Sequence, residues 1–129
     1  MSPAPVLPAW LADAMNSLVA GDVDGWMKLY TPDAVHELPF SRDGVMRRLE
    51  GRDQIAAYMS QLPGRIVFGT IGEIRVREVG DEIIIEAEGH HHRPDGTAFD
   101  VRYIWFITVR DGLVSHFRDY TLPLLPLAL

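Results

Sequence analysis

The side chains best suited to acid–base chemistry fall in three short runs of this 129-residue chain: "VHEL" (35–38), "EAEGHHH" (86–92) and "SHFRDY" (115–120). In the last run Asp119 sits between Arg118 and Tyr120, within a segment that alternates like a strand. On such a strand Asp119 shares a face with Phe117 and Ser115, while His116, Arg118 and Tyr120 share the other. Its aromatic neighbour two positions away points to a buried side, where a carboxylate is costly unless hydrogen-bonded, paired or functional. Asp119 is therefore read as a candidate general base; the alternative is a buried aspartate bonded to backbone or to Tyr103.

In the second run Glu86, Glu88 and His90 share one face, about 7 Å apart along the strand, and Ala87, Gly89 and His91 share the other. Two carboxylates beside a histidine can supply an acid and a base if they line a pocket. Otherwise they form a solvated face paired across a hairpin. The turn that follows decides. A three-residue "PDG" loop sets Glu88 opposite Arg102 and His90 opposite Asp100, giving two cross-strand ion pairs. A four-residue "PDGT" loop sets Glu88 opposite Tyr103 and His90 opposite Val101. The triple histidine invites a metal reading, but adjacent strand residues alternate faces. At most His90 and His92 share one ion, and no HxxxH or acidic partner motif accompanies them, so no metal is expected. The three are read as exposed residues near a turn.

The elements that must position these groups are legible from periodicity. Leu11, Met15, Leu18 and Val19 recur at helical spacing in a segment from Pro8 to Val19. Gly21 stops that helix, and a second begins at an Asp22 cap and ends before Pro32. Ala34 to Leu38 reads as a short strand ended by Pro39. A charged, glycine-containing loop leads to a third helix, about Asp53 to Gln61, closed by Pro63 and Gly64. After Gly64 the chain reads as strands, with glycines in "VFGTIGEI" marking bulges and with turns at "PDG" and "RDG". Helices followed by hairpin-linked strands form an α+β pattern, a curved sheet wrapped on N-terminal helices.

Composition narrows the classes. There is no cysteine, which excludes disulfide and thiolate chemistry. Twelve basic against eighteen acidic residues give a net charge of −6, without the basic patch a nucleic acid requires. The N-terminus lacks the pattern of a signal peptide, and the apolar stretch 124–129 is too short and proline-broken to span a bilayer. Neither nucleic acid nor membrane is expected as a partner, and the cytoplasm is the expected location. One domain is expected over 1–129, with a core of about 10–123.

The segments "AGDVDGWMKLYTPDAVHELPF", "LEGRDQIAAYM" and "DGLVSHFRDYTLP" resemble, in order and spacing, the nuclear transport factor 2-like superfamily. SnoaL-like polyketide cyclases, ketosteroid isomerases and limonene epoxide hydrolases belong to it. The resemblance runs from about Trp10 to Pro123. It implies a cone, a strongly bent and mostly antiparallel sheet closed by helices around a deep apolar pocket for a small hydrophobic ligand. It also implies a homodimer formed through the outer sheet face.

Carried over by residue, the resemblance puts the isomerase tyrosine at Ala14, its base at Leu38 and its neutral aspartic acid near Tyr103, so two of three roles are vacant. The hydrolase "RDY" maps onto Arg118, Asp119 and Tyr120, its second aspartate onto Glu88, and its arginine onto Glu86. The arginine is thus missing, and carboxylates without a cation repel one another. The hydrolase's water-holding residues fall near Val35, His36 and Glu37. The same alignment faces Val101, Tyr103 and Trp105 into the pocket, in agreement with the four-residue turn. By parity with Leu38, His36 faces the pocket and Glu37 the outside or mouth. Trp26, Tyr30, Tyr58 and Phe68 read as core or pocket wall.

The expected site therefore has Asp119, Glu88 and His36 as catalytic groups. Tyr103, Trp105, Leu38, Val101 and Glu86 stand around the ligand with His90, Phe117, Tyr30 and Trp26. The expected activity is cofactor-free acid–base chemistry, of isomerase or cyclase type, on a small hydrophobic carbonyl compound. The alternatives are epoxide hydrolysis and a non-catalytic dimer that only binds a hydrophobic ligand.

Overall fold

The computed structural model describes residues 7–40 and 47–122, so the apolar stretch 124–129 lies outside the described residues. Helix α1 (Ala9–Val19) begins after Pro8, whose fixed φ suits a helix start, and buries Leu11, Ala14 and Leu18. Helix α2 (Val23–Met27) is capped by Asp22, whose carboxylate accepts from the Gly25 amide at 3.0 Å. The two helices meet closely because a β-carbon at Gly25 would stand 2.5 Å from Ser17 Oγ. That contact delivers Trp26 to the interior.

Six strands form one sheet: β1 (Tyr30–Leu38), β2 (Arg47–Glu50), β3 (Val67–Val79), β4 (Glu82–His92), β5 (Ala98–Arg110) and β6 (Leu113–Leu122), in the order β2-β1-β6-β5-β4-β3. All pairs are antiparallel except β1 with β6. Helix α3 (Arg52–Met59) packs on β1 and is followed by a 3₁₀ turn, Leu62–Gly64. This is the α+β arrangement, one curved sheet with N-terminal helices, that the resemblance implies.

Local boundaries differ in instructive ways. Pro32 lies inside β1 rather than before it. The β1–β6 register shifts between Tyr30 and Val35, so the missing proline amide falls where the ladder is irregular. Strand β2, expected as loop, is short and half-exposed, and its pattern carries too few apolar residues to announce itself. The third helix ends two residues before Gln61. Register shifts in β3 fall between Val67 and Thr70 and between Gly72 and Arg75. Those intervals contain Gly69 and lie beside Gly72, as the glycine pattern suggested.

The hairpin between β4 and β5 settles the turn question. Arg93 and Thr97 close it with an amide-to-carbonyl bond of 2.8 Å around Pro94, Asp95 and Gly96, so the loop has three residues. Glu88 consequently faces Arg102, and His90 faces Asp100. The inner face of β4 is the other one: Ile85, Ala87, Gly89 and His91 oppose Trp105, Tyr103, Val101 and Phe99. Isoleucines 85 and 107, Val114 and Phe117 are fully buried there, each stabilising the fold by roughly 1.5–3 kcal/mol. On the outer face Ile104 and Leu122 stay exposed.

Gly69 is required by close approach, since a β-carbon there would stand 2.0 Å from the His90 carbonyl oxygen. Gly64 has open space around the same position. In urea denaturation, Gly69→Ala is expected to destabilise the protein by about 1–3 kcal/mol through forced backbone displacement, against less than about 1 kcal/mol for Gly64→Ala.

Candidate functional site

Between α1, α3 and the concave face of the sheet lies a cavity of about 70 Å³. A single water needs roughly 10–15 Å³ on this measure, so several non-hydrogen atoms fit. Met15 and Leu18 of α1, Met59 of α3, Leu62, Phe68 and Ile71 make most of it apolar. Val19, which also lines it, is half exposed and marks the mouth. The polar groups that reach it are His36, Tyr58, His91, Tyr103 and Asp119, beside Trp26, Trp105 and Phe117.

Asp119 enters from β6, directly opposite Trp105 of β5. Trp105 Nε1 donates to its Oδ1 at 3.1 Å, and the Thr121 hydroxyl donates to the same oxygen. Two donors on Oδ1 hold the carboxylate in one orientation. Its Oδ2 points to His36, 3.8 Å from Nε2, and accepts no hydrogen bond among the described residues.

His36 is placed by β1 and stacks on Phe117, ring centroids 4.7 Å apart and planes within 6°. A chain of hydrogen bonds runs behind it. Trp26 Nε1 can only donate, and it lies 3.2 Å from the Tyr30 oxygen. The Tyr30 hydroxyl is in turn hydrogen-bonded to His36 Nδ1, 3.1 Å away. With the Tyr30 hydrogen given to Nδ1, the ring's own proton sits on Nε2, which is buried and has no hydrogen-bond partner among the described residues. An unpartnered buried N–H is costly, and a ligand or water oxygen in the cavity would remove that cost.

Burial pushes the Tyr58 and Tyr103 phenols well above the ordinary tyrosine range, and the nearby Asp119 charge adds to the effect. Both remain protonated donors at neutral pH. Tyr103 contacts His91 Nε2 at 2.8 Å, and the Gly69 amide donates to His91 Nδ1 at 3.0 Å. Burial first, then the neighbouring His90, pull the His91 pKa down to about 4; His92 acts the same way and Asp100 opposes them.

The model of the SnoaL-like domain matches residues 9–117. The chain belongs to the SnoaL-like family. An uncharacterised PhzA/B-like protein of Pseudomonas aeruginosa is 30% identical over 120 residues, covering 88% of this chain and 82% of its own. The crystal structure of a "Putative Isomerase" from Bacillus subtilis superposes with a TM-score of 0.81 at 28% identity, covering 88% of this chain and 84% of that one. A protein from Catenulispora acidiphila with a ketosteroid isomerase-like fold, crystallised with trimethylamine, gives a TM-score of 0.72 at 17% identity over 89% and 86% of the chains. At that identity the likeness shows the fold alone.

In this SnoaL-like chain the cavity gathers Asp119, His36, Tyr103, Trp105, Phe117 and Trp26 from the expected set. Tyr30 stands behind the wall and acts on the cavity through His36. Leu38 and Val101 are buried in the core but do not line the cavity. Glu86, Glu88 and His90 need correction, because the three-residue turn puts them on the outer face. Glu88 pairs with Arg102 at 3.1 Å, Glu86 with Arg77 at 3.7 Å and His90 with Asp100 at 2.8 Å. Such exposed pairs contribute little to stability. Glu37, expected outside or at the mouth, is buried and bonded to His116, with Arg48 at 3.8 Å.

His91, read from sequence as an exposed turn residue, is 1% exposed. The signal that finds it is parity: it shares a face with the small Ala87 and Gly89, opposite the aromatic stripe of β5. Among the described residues no group of three or more His, Asp or Glu side chains is placed to hold a metal ion.

The depressed His91 pKa has a thermodynamic consequence. Below its ordinary value near 6.5 the unfolded chain binds a proton at this ring before the folded chain does. Stability is therefore expected to fall between about pH 6.5 and about pH 4, by on the order of 3 kcal/mol from this group. His91→Gln keeps an acceptor for Gly69 and a donor for Tyr103 but cannot titrate. Urea denaturation at pH 7 and pH 4.5 should show a smaller acid loss in the variant than in the wild type.

Proposed function

We propose that the protein is a cofactor-free acid–base enzyme that removes a proton from the carbon next to the carbonyl of a small hydrophobic compound, chemistry of isomerase or cyclase type. One observation carries the reading. Asp119 Oδ2, a carboxylate oxygen, stands 3.8 Å from the buried His36 Nε2 at the wall of an apolar cavity, and among the described residues neither atom has a hydrogen-bond partner.

The division of roles follows from donor and acceptor capacity. Asp119 Oδ1 is held by Trp105 and Thr121, so Oδ2 is the atom free to accept the substrate proton. As that proton leaves, its electron pair moves into the carbonyl, and negative charge develops on the oxygen. His36 Nε2–H is directed to where such an oxygen would bind, and a hydrogen bond to a developing oxyanion strengthens as the charge grows. In a β,γ-unsaturated ketone, return of the proton from Asp119 to the γ carbon gives the conjugated isomer. In a compound with a second carbonyl, the enolate carbon adds to that carbonyl to close a ring, and the alkoxide formed takes the proton back from Asp119. A ligand that fills the apolar cavity displaces water from it, which strengthens both interactions.

The "Putative Isomerase" likeness at 28% identity and the family match are consistent with this class. Epoxide hydrolysis of the limonene type is less well supported, since the positions that would hold its second aspartate and its arginine, Glu88 and Glu86, lie on the outer face.

Exchange of protons adjacent to the carbonyl of small ketones into D2O, followed by proton NMR, tests the reading. The wild type should accelerate exchange, and Asp119→Asn should reduce the rate by roughly 10²–10⁴-fold. His36→Gln should lower it by about tenfold or more. Glu88→Gln should leave it unchanged. Ligand binding with no exchange by the wild type would leave a binding protein instead.

A further inference from the structure

The mechanism above leaves one buried pair unused, His91 and Tyr103, and the hydrogen bonds around it fix a direction. The Gly69 amide donates to His91 Nδ1, 3.0 Å away. A nitrogen that accepts carries no hydrogen, and His91 is neutral at pH 7 with its pKa near 4, so its one proton is on Nε2. Nε2–H faces the Tyr103 oxygen at 2.8 Å, which makes that oxygen the acceptor. The Tyr103 hydroxyl hydrogen must then point away from His91. Among the described residues nothing accepts it, while Tyr103 lines the same cavity as Asp119.

Two glycines make this contact possible. A β-carbon at Gly89 would stand 2.3 Å from His91 Nε2 and 2.7 Å from Tyr103 Cε2. One at Gly69 would strike the His90 carbonyl and lift away the strand whose amide sets the His91 tautomer. The arrangement matches that of His36. In both, a group that can only donate, the Trp26 indole or the Gly69 amide, heads a hydrogen-bonded chain that ends at the cavity. The two come from different strands, β1 and β5, on either side of β6, which carries Asp119.

We propose that Tyr103 is a second hydrogen-bond donor to the ligand, that His91 is the positioning residue that turns its hydroxyl hydrogen inward, and that the ligand carries two oxygen acceptors, one for His36 and one for Tyr103. The proposal rests on the reading of this cavity as the substrate site, though not on Asp119 removing a proton there. A buried His–Tyr pair serving only the core would satisfy itself and would be indifferent to the number of oxygens on the ligand.

Two measurements test it. Long-range ¹H–¹⁵N spectra of labelled protein at pH 7 should show His91 protonated on Nε2 and bare on Nδ1. The opposite tautomer would overturn the proposal, because Tyr103 would then give its hydrogen to His91. The second measurement compares binding of cyclohexane-1,4-dione and cyclohexanone, rings of one size with two oxygens and one, by NMR titration. The wild type should bind the dione roughly tenfold more tightly, the value of one good hydrogen bond.

Tyr103→Phe should bring that ratio near one while leaving cyclohexanone affinity within about twofold. His91→Phe should lower the ratio as well, add nothing in the Tyr103→Phe background, and be rescued by His91→Gln. Equal affinity for the two probes in the wild type, no measurable binding of either, or a ratio that survives Tyr103→Phe would overturn the proposal. A dione preference that depends on Tyr103 in a protein that exchanges no proton supports it and removes the base reading alone.

Discussion

The structure depends on how a carboxylate is kept inside an apolar cone. Asp119 is largely withdrawn from water, its side chain 16% exposed, and desolvation of an ionised group is among the most expensive events in folding. Trp105 and Thr121 offset part of that cost by donating to one oxygen. Both come from the β5–β6 hairpin or from Asp119's own strand, so the pairing of Trp105 with Asp119 is at once a structural register and a site geometry. A slip of one residue between β5 and β6 would turn Asp119 away from Trp105 and expose Phe117 to water.

What surrounds Asp119 follows from the same economy of polar groups. Tyr30, Tyr58 and Tyr103 are all buried near the charge, which makes their ionisation harder and keeps them as donors. Indole and backbone N–H groups cannot accept, so each stands at the donating end of its chain. Trp26 does this for Tyr30 and His36, and Gly69 does it for His91 and Tyr103. The result is preorganisation, with donors pointed into the cavity before any ligand arrives.

Much of this is written in the sequence, and the parts that are not have physical reasons. Alternation in "VSHFRDYTLP" puts Asp119 beside Phe117, and helical spacing in α1 and α3 puts Leu18 and Met59 inward. Glu88 and His90 were ambiguous because strand parity gives two faces without saying which is inner. That choice rested on whether a turn has three residues or four, and the small difference in turn energetics is not visible in "HRPDGTA". The family likeness favoured the four-residue turn, and the inward face of Val101, Tyr103 and Trp105 is nevertheless kept, because their true partners are Gly89, Ala87 and Ile85. His91 was hidden by its two polar neighbours. The Trp26–Tyr30–His36 chain spans a helix and a strand, and nothing in local periodicity connects them.

The central claim is that a ligand oxygen completes His36 while the adjacent carbon meets Asp119. A crystal structure with cyclohexanone bound tests it most directly. The account places the ketone oxygen within about 3.2 Å of His36 Nε2, with a neighbouring ring carbon against Asp119 Oδ2. A ketone bound in the cavity with its oxygen turned to the mouth, and His36 Nε2 still without a partner, would contradict it.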